Sequence, residues 1–209
     1  MFLHKTPPLL KALFPKLLWR KDTKEKRIYL TFDDGPIPRV TEFVLETLHI
    51  YHAKATFFCV GDNIRKHPDI FDKILWLGHA VGNHTYNHIN GWKTDSTAYE
   101  DNVEKCHVEM MKHTENVGKR LFRPPYGRIK PAQIKNLKKD YQIVMWDVLS
   151  GDYSQGISKE ECLKSTINAT SPGSIVVFHD NVKAESHLQY ALPKYLEHFA
   201  HQGYTFSKL

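Results

Sequence analysis

The sequence predicts an α/β domain built on a parallel sheet, and three observations lead there. Short β-prone apolar runs alternate about seven times with segments of helical periodicity. Polar clusters stand at the ends of several different runs, where parallel α/β folds gather their chemistry. The length of 209 residues, 41% of them hydrophobic, suits one well-packed domain and is short for two. Periodicity leaves open whether such a sheet closes into a barrel or stays open and doubly wound.

The first strand is read from Ile28, Leu30 and Phe32, with Tyr29 and Thr31 between them, and it stops at Asp33-Asp34-Gly35-Pro36. Val40, Phe43, Val44, Leu45, Leu48 and Ile50 then recur at helical spacing, and Ala55 to Val60 forms the next strand, ended by Gly61. A helix over Asp69 to Leu77 is closed by Gly78, and Ala80-Val81-Gly82 leads into Asn83-His84-Thr85-Tyr86-Asn87-His88. Ser96 is placed to cap a long helix reaching Thr114, with Tyr99, Val103, His107 and Met110 or Met111 along one side. Leu121-Phe122 runs into Arg123-Pro124-Pro125-Tyr126-Gly127, and a helix over Pro131 to Lys139 precedes a strand from Tyr141 to Trp146. The remaining elements are a helix from Ser158 to Ala169, a buried strand from Ser174 to Phe178, a helix from Pro193 to His201 and a closing strand from Tyr204 to Phe206.

Residues 1–27 are expected to pack their apolar side on a domain spanning 28–209. Leu9, Leu10, Leu13, Phe14, Leu17, Leu18 and Trp19 interleave there with Lys5, Lys11, Lys16, Arg20 and Lys21, a pattern that also suits peripheral contact with an anionic membrane. Prolines at 7, 8 and 15 interrupt any long amphipathic helix. No run reaches the ~20 apolar residues of a membrane span, and no small-residue cleavage site follows the segment. With three widely spaced cysteines and no Cys-x-x-Cys pair, a cytoplasmic setting with reduced thiols is expected. The net charge of +6 is spread along the chain without aromatic-basic motifs, so no nucleic-acid partner is expected. The absence of a glycine-rich phosphate loop excludes the usual nucleotide cofactors.

The chemistry lies in the clusters at strand ends. Two adjacent acids, Asp33 and Asp34, repel unless a cation or a hydrogen-bond donor holds them. His84-x-x-x-His88 offers two imidazoles that converge on one ion if the turn aims them together, and a carboxylate would complete a three-ligand set with an open position. The spacing alone is weak evidence in a chain with thirteen histidines; the pairs His49/His52 and His198/His201 share short spacings on helices and are expected to face solvent. His179 emerges from a dry strand end, where desolvation and a nearby acid would set its pKa near neutrality.

Taken together, Thr-Phe-Asp-Asp-Gly-Pro, His-Thr-x-x-His, Arg-Pro-Pro-Tyr-Gly, Trp146-Asp147 through Asp152-Tyr153, and Val-Phe-His resemble the five ordered motifs of the NodB-like polysaccharide deacetylases, carbohydrate esterase family four. The resemblance spans about Ile28 to Leu209. It implies a distorted (β/α)7 barrel, in keeping with the independent count of about seven strands. It implies that Asp33 is the general base, that Asp34, His84 and His88 hold one divalent metal, usually zinc with Co2+ or Ni2+ as substitutes, and that His179 is the general acid. By the same resemblance Arg123 holds Asp33 ionised, the Tyr126 backbone N–H helps bind the oxyanion, and Asp152 orients His179. The implied activity is hydrolysis of the acetamide of an N-acetylated saccharide, with release of acetate. Trp92, Tyr126, Tyr153 and Val177 are expected to contact the sugar. Tyr153 and Val177 stand where relatives often carry Trp and Leu, and the stretch Ile89 to Thr94 also departs from the common pattern. The alternatives are a different C–N hydrolase on the same scaffold and a silent glycan-binding module; the complete set of Asp33, Asp34, His84, His88, Arg123 and His179 argues against the silent module.

Overall fold

The run Arg27–Asp33 forms β1, and every residue from Ile28 to Asp33 is buried, as expected of a central parallel strand covered on both faces. The structure, a computed structural model, describes residues 3–114 and 120–209. β1 pairs in parallel with β2 (Thr56–Cys59) on one side and with Ile175–His179 on the other. The main path of the sheet continues outward through Ala80–Asn83 (β3), Leu121–Phe122 (β4) and Gln142–Ile143 (β5) beyond β2. Beyond Ile175–His179 (β7) it ends with Val148–Leu149 (β6), while Thr205–Ser207 (β8) pairs with the start of β1. All of these pairings are parallel, so the strands' C-terminal ends share one side of the sheet.

Among the described residues eight strands are present against about seven expected; β6 was not anticipated, because two residues carry no periodic signal. The helices are α1 (Pro8–Leu13), α2 (Val40–Ile50), α3 (Gly61–Lys66), α4 (Pro68–Trp76), α5 (Ser96–Met111), α6 (Pro131–Leu137), α7 (Lys159–Ala169) and α8 (Glu185–His201). The six-residue α3 was also unforeseen. The cap of α5 is Asp95 rather than Ser96, its carboxylate accepting the Thr97 and Ala98 backbone N–H groups. α8 begins eight residues before Pro193 and runs through it. The missing proline N–H forfeits one helical hydrogen bond, yet Leu188, Ala191, Leu192, Tyr195, Leu196 and Phe199 bury one face and hold the helix together. The main core joins these residues to the sheet, with Phe32 stacked between Phe57 at 5.1 Å and Phe178 at 6.1 Å.

The N-terminal segment has an architectural role. β5 and β6 are the two ends of the main path, and the segment bonds to both. The Leu18 N–H donates to the Ile143 carbonyl and the Leu18 carbonyl accepts from Met145, while the Thr6 N–H donates to Asp147 and the Leu149 N–H to His4. The sheet therefore curls into a distorted barrel whose seam is bridged by residues 4–20 rather than by direct strand pairing. Leu17 and Trp19 are buried, whereas Leu3, Leu9, Leu10, Leu13 and Phe14 stay exposed, so only part of the segment's apolar side packs inward. Asp147, fully buried, anchors it by accepting from Lys5 Nζ at 2.7 Å, Ser174 Oγ at 2.6 Å and Lys11 Nζ. No helix among the described residues is long and apolar enough to cross a membrane.

Removing the charge from this anchor leaves two lysines without their partner. Asp147→Asn is expected to cost about 3 kcal/mol in urea unfolding and to expose residues 4–20 to limited proteolysis. An unchanged unfolding midpoint would show that the seam is held by backbone bonds alone.

Candidate active site

Parallel pairing sets the site. Asp33 lies beside Phe58 on one neighbour strand and His179 on the other, so the base and acid expected from the sequence sit at the same level of the sheet. Consecutive residues of a strand point to opposite faces, which would normally separate Asp33 from Asp34. The chain avoids this by turning left-handed at Asp34, with φ of 87°. Both carboxylates then reach His84, whose Nε2 lies 3.5 Å from Asp34 Oδ1 and 4.0 Å from Asp33 Oδ2. A Cβ on Gly35 would collide with the Asp180 carboxylate, so the turn after the acids requires glycine.

The same backbone device recurs. Thr85, His88 and Tyr126 also have positive φ, at 63°, 54° and 59°. Thr85 is β-branched, and its conformation is held by an N–H bond to Asn83 Oδ1 and by its Oγ1 accepting the Ile89 N–H. This turn brings His88 Nε2 to 3.0 Å from Asp34 Oδ1. Ligand atoms of Asp34, His84 and His88 all lie within 4.8 Å of one another. His84 Nδ1–H donates to the Arg123 carbonyl at 2.7 Å, which fixes the tautomer and leaves Nε2 as a lone-pair donor toward Asp34. His88 Nδ1 meets the Tyr126 hydroxyl at 3.1 Å. Two imidazoles and one carboxylate with supported outer nitrogens fit a divalent first-row cation, and three protein ligands leave a coordination position open. Burial opposes the charge on Asp34, but the His84 and His88 imidazoles beside it and the charge on His179 keep its carboxyl well below the usual range.

Arg123, fully buried, organises the base. Its Nη1 donates to Asp33 Oδ1 at 2.6 Å and to Thr31 Oγ1 at 2.8 Å, and its Nη2 donates to the Met145 carbonyl at 2.9 Å. The guanidinium also lies 4.1 Å from the centroid of the Phe58 ring. On the other side, His179 takes two bonds to the fully buried Asp152, from Nδ1 at 2.8 Å and from its backbone N–H at 2.7 Å. Burial works against the imidazolium, yet the Asp152 carboxylate overrides it, with Asp34 and Asp33 adding, and the pKa is raised to about 9. A value near neutrality was expected, and the direction here is upward, set chiefly by Asp152. Asp180, the acid next in sequence, points to the opposite face, accepting from Thr41 Oγ1 at 2.6 Å and the Gly35 N–H at 3.1 Å.

These groups surround a cleft of about 500 Å³ lined by Asp33, Asp34, His84, His88, Tyr126, Tyr153, Val177 and His179 among others. Tyr153 packs edge-on against His179, ring centroids 4.8 Å apart. Trp92 is the exception among the residues expected to contact the sugar. It lies in an adjoining groove, its indole N–H donating to the Ile129 carbonyl. Trp146 and Leu149, which line both the cleft and the groove, were not anticipated, nor were Arg128 and Lys183 at the cleft wall. Asn181 and Asn63 were missed as well; their side-chain amides donate to Asp34 Oδ2 and to the Asp34 carbonyl. Asn181 was within reach of a sequence reading, standing two residues after His179, whereas Asn63 lies on the unforeseen α3.

A family model described as polysaccharide deacetylase matches residues 20–146. Over 194 residues the chain is 35% identical to a peptidoglycan-N-acetylglucosamine deacetylase of Bacillus cereus, covering 90% of this chain and 88% of that relative. It is 35% identical over 153 residues to a second protein of that name from the same species; the match takes in 73% of this chain, which spans about half, 55%, of that relative's length. Among solved structures, a peptidoglycan N-acetylglucosamine deacetylase in complex with a naphthyl N-hydroxybenzamide superposes with a TM-score of 0.88 at 29% identity, covering 98% of this chain and 95% of the other. The fold and the sequence thus agree over nearly the whole length, and the chain belongs to the polysaccharide deacetylase family, carbohydrate esterase family four, which includes hydrolases of amide C–N bonds.

Proposed function

We propose that this protein is a metal-dependent N-deacetylase acting on an N-acetylglucosamine-containing glycan or oligosaccharide, with release of acetate. The observation that carries this reading is the convergence on one cleft of an arginine-held carboxylate, an Asp-His-His donor set and an aspartate-held histidine. A divalent cation held by Asp34, His84 and His88, zinc in this reading, supplies Lewis acidity that lowers the pKa of water and polarises the acetamide carbonyl.

The chain's own groups supply the rest. Arg123 engages Asp33 Oδ1, leaving Oδ2 toward His84 to take the proton of the attacking water. The left-handed turn at Tyr126 leaves its backbone N–H without a partner among the described residues, and this donor serves the oxygen that gains charge as the water oxygen bonds to carbon. The C–N bond then breaks toward nitrogen, and His179, whose Nδ1 is held by Asp152, gives its proton to the departing amine. Without that proton the amine would leave as an anion. Tyr126, Tyr153, Val177 and Trp146 form the walls against which the sugar lies, and Arg128 and Lys183, which have no ion pair among the described residues, favour neutral or anionic saccharides. The three cysteines are buried and free, which suits the reducing cytoplasmic setting included in this reading.

Acetate release from acetylglucosamine oligomers by zinc-loaded protein is the direct test; release from non-sugar amides alone would favour a different C–N hydrolase. Asp33→Asn is expected to lower kcat by at least about a hundredfold with full zinc content, whereas His84→Ala loses the zinc. Equal metal loss in both variants would overturn the division of roles. Because His179 acts in its protonated form, activity should fall as pH rises toward about 9. A cation at Asp34 cancels part of the negative charge that lifts this pKa, so the limb in the loaded enzyme lies at or below that value. Asp152→Asn removes the main stabiliser of the imidazolium and should move this alkaline limb to lower pH by at least about one unit; an unmoved limb would assign it to another group.

A further inference from the structure

Beside the catalytic cleft lies a second concavity of about 450 Å³, bounded on one side by the N-terminal segment and on the other by the turns after β3 and β4. Its volume is that of a small-ligand site, for which ~300–1,000 Å³ is usual. The two concavities share Tyr126, Trp146 and Leu149 as walls, so the groove lies directly beside the cleft. Leu10, Phe14, Leu17, Ile134 and Met145 make up much of the remaining surface.

Many of the polar side-chain atoms of its lining are already engaged inside the protein. Lys5 Nζ is held by Asp147 and the Ala169 carbonyl, and Thr6 Oγ1 donates to the Trp146 carbonyl. The indole N–H groups of Trp19 and Trp92 donate to the Phe14 and Ile129 carbonyls, and the Tyr126 hydroxyl meets His88. A second sugar ring or a peptide backbone laid here would give up hydrogen bonds to water and find few partners in exchange. An alkyl or prenyl chain loses nothing and gains from burial against Leu10, Phe14 and Trp146.

We infer that the groove receives the apolar chain of an amphiphilic substrate, a glycolipid whose N-acetylated sugar occupies the cleft while its lipid tail lies under the N-terminal segment. The inference rests on the N-deacetylase reading for the sugar and on the groove alone for the tail. It gives Leu10 of α1 and Phe14 just beyond it a role at the mouth of a lipid-binding groove and makes the seam-closing segment a determinant of specificity.

The test is calorimetric binding of methyl and octyl N-acetyl-β-glucosaminide to the zinc-loaded full chain, below the micelle threshold. With roughly fourfold in affinity for each fully buried methylene, the octyl glycoside is expected to bind at least about 30-fold more tightly than the methyl glycoside. Leu10→Glu and Phe14→Glu change groove residues that are 40% and 39% exposed, so folding should survive, and both should erase the chain-length advantage while leaving methyl glycoside binding intact. Leu9→Glu, at a position 72% exposed and outside the groove, should keep the advantage. Equal binding of the two glycosides, an advantage that survives Leu10→Glu, or equal loss in Leu9→Glu would each overturn the inference. So would sedimentation showing a dimer that Leu10→Glu dissociates, since a second copy would then fill the groove. Deacetylation of acetylglucosamine oligomers without any chain-length effect sinks the groove alone; chain-length-dependent binding with no turnover of any saccharide sinks the N-deacetylase reading and leaves the groove standing.

Discussion

The site is organised by the buried contact between Arg123 and Asp33. A guanidinium with no exposed surface is costly unless its donors are met, and here Asp33, Thr31 and the Met145 carbonyl meet them directly. Burial lowers the arginine's pKa and the Asp33 carboxylate works against that shift. The pair joins β1 to the chain just beyond β4 and β5. The Arg123 carbonyl in turn fixes His84, so one residue positions both the Asp33 carboxylate and a metal-ligand candidate. Loss of this contact would leave a buried charge unpaired and free the imidazole to rotate.

A second constraint is conformational. A strand alternates its side chains, and the chemistry needs neighbours on the same side. Left-handed residues at 34, 85, 88 and 126 resolve the conflict, and each is held by local hydrogen bonds or packing against the site. Where the alternation is left intact, at His179 and Asp180, one residue faces the cleft and the other the core. The partner of His179 therefore has to come from a different segment, and Asp152 supplies it.

The N-terminal segment connects architecture to specificity. Its backbone bonds to both ends of the main strand path and its lysines meet the buried Asp147, which places Leu10 and Phe14 across from Trp146. Closing the seam and walling the groove are two results of the same packing. Trp92, expected at the sugar, lines that groove, its indole N–H donating to the Ile129 carbonyl and its ring lying beside the Arg128 guanidinium.

Much of this was legible in the amino-acid sequence. The long apolar runs around Phe32, Phe57 and Phe178 mark buried parallel strands whatever their partners, and the order of the five polar motifs identifies the family and its candidate acids, histidines and arginine. β6, α3 and the course of α8 through Pro193 were not legible, since two or six residues carry too little pattern and packing overrides the local cost of a proline. The pairing of Asp152 with His179 was implied by the family motifs, but the order of residues did not show that Asn181 and Asn63 steady Asp34 or that the N-terminal leucines stand beside the cleft. Those facts depend on which segments meet in space and on single φ angles. Sequence periodicity records which face of an element is apolar, while the direction of a side chain at the end of a strand is decided only when the neighbouring strands are in place.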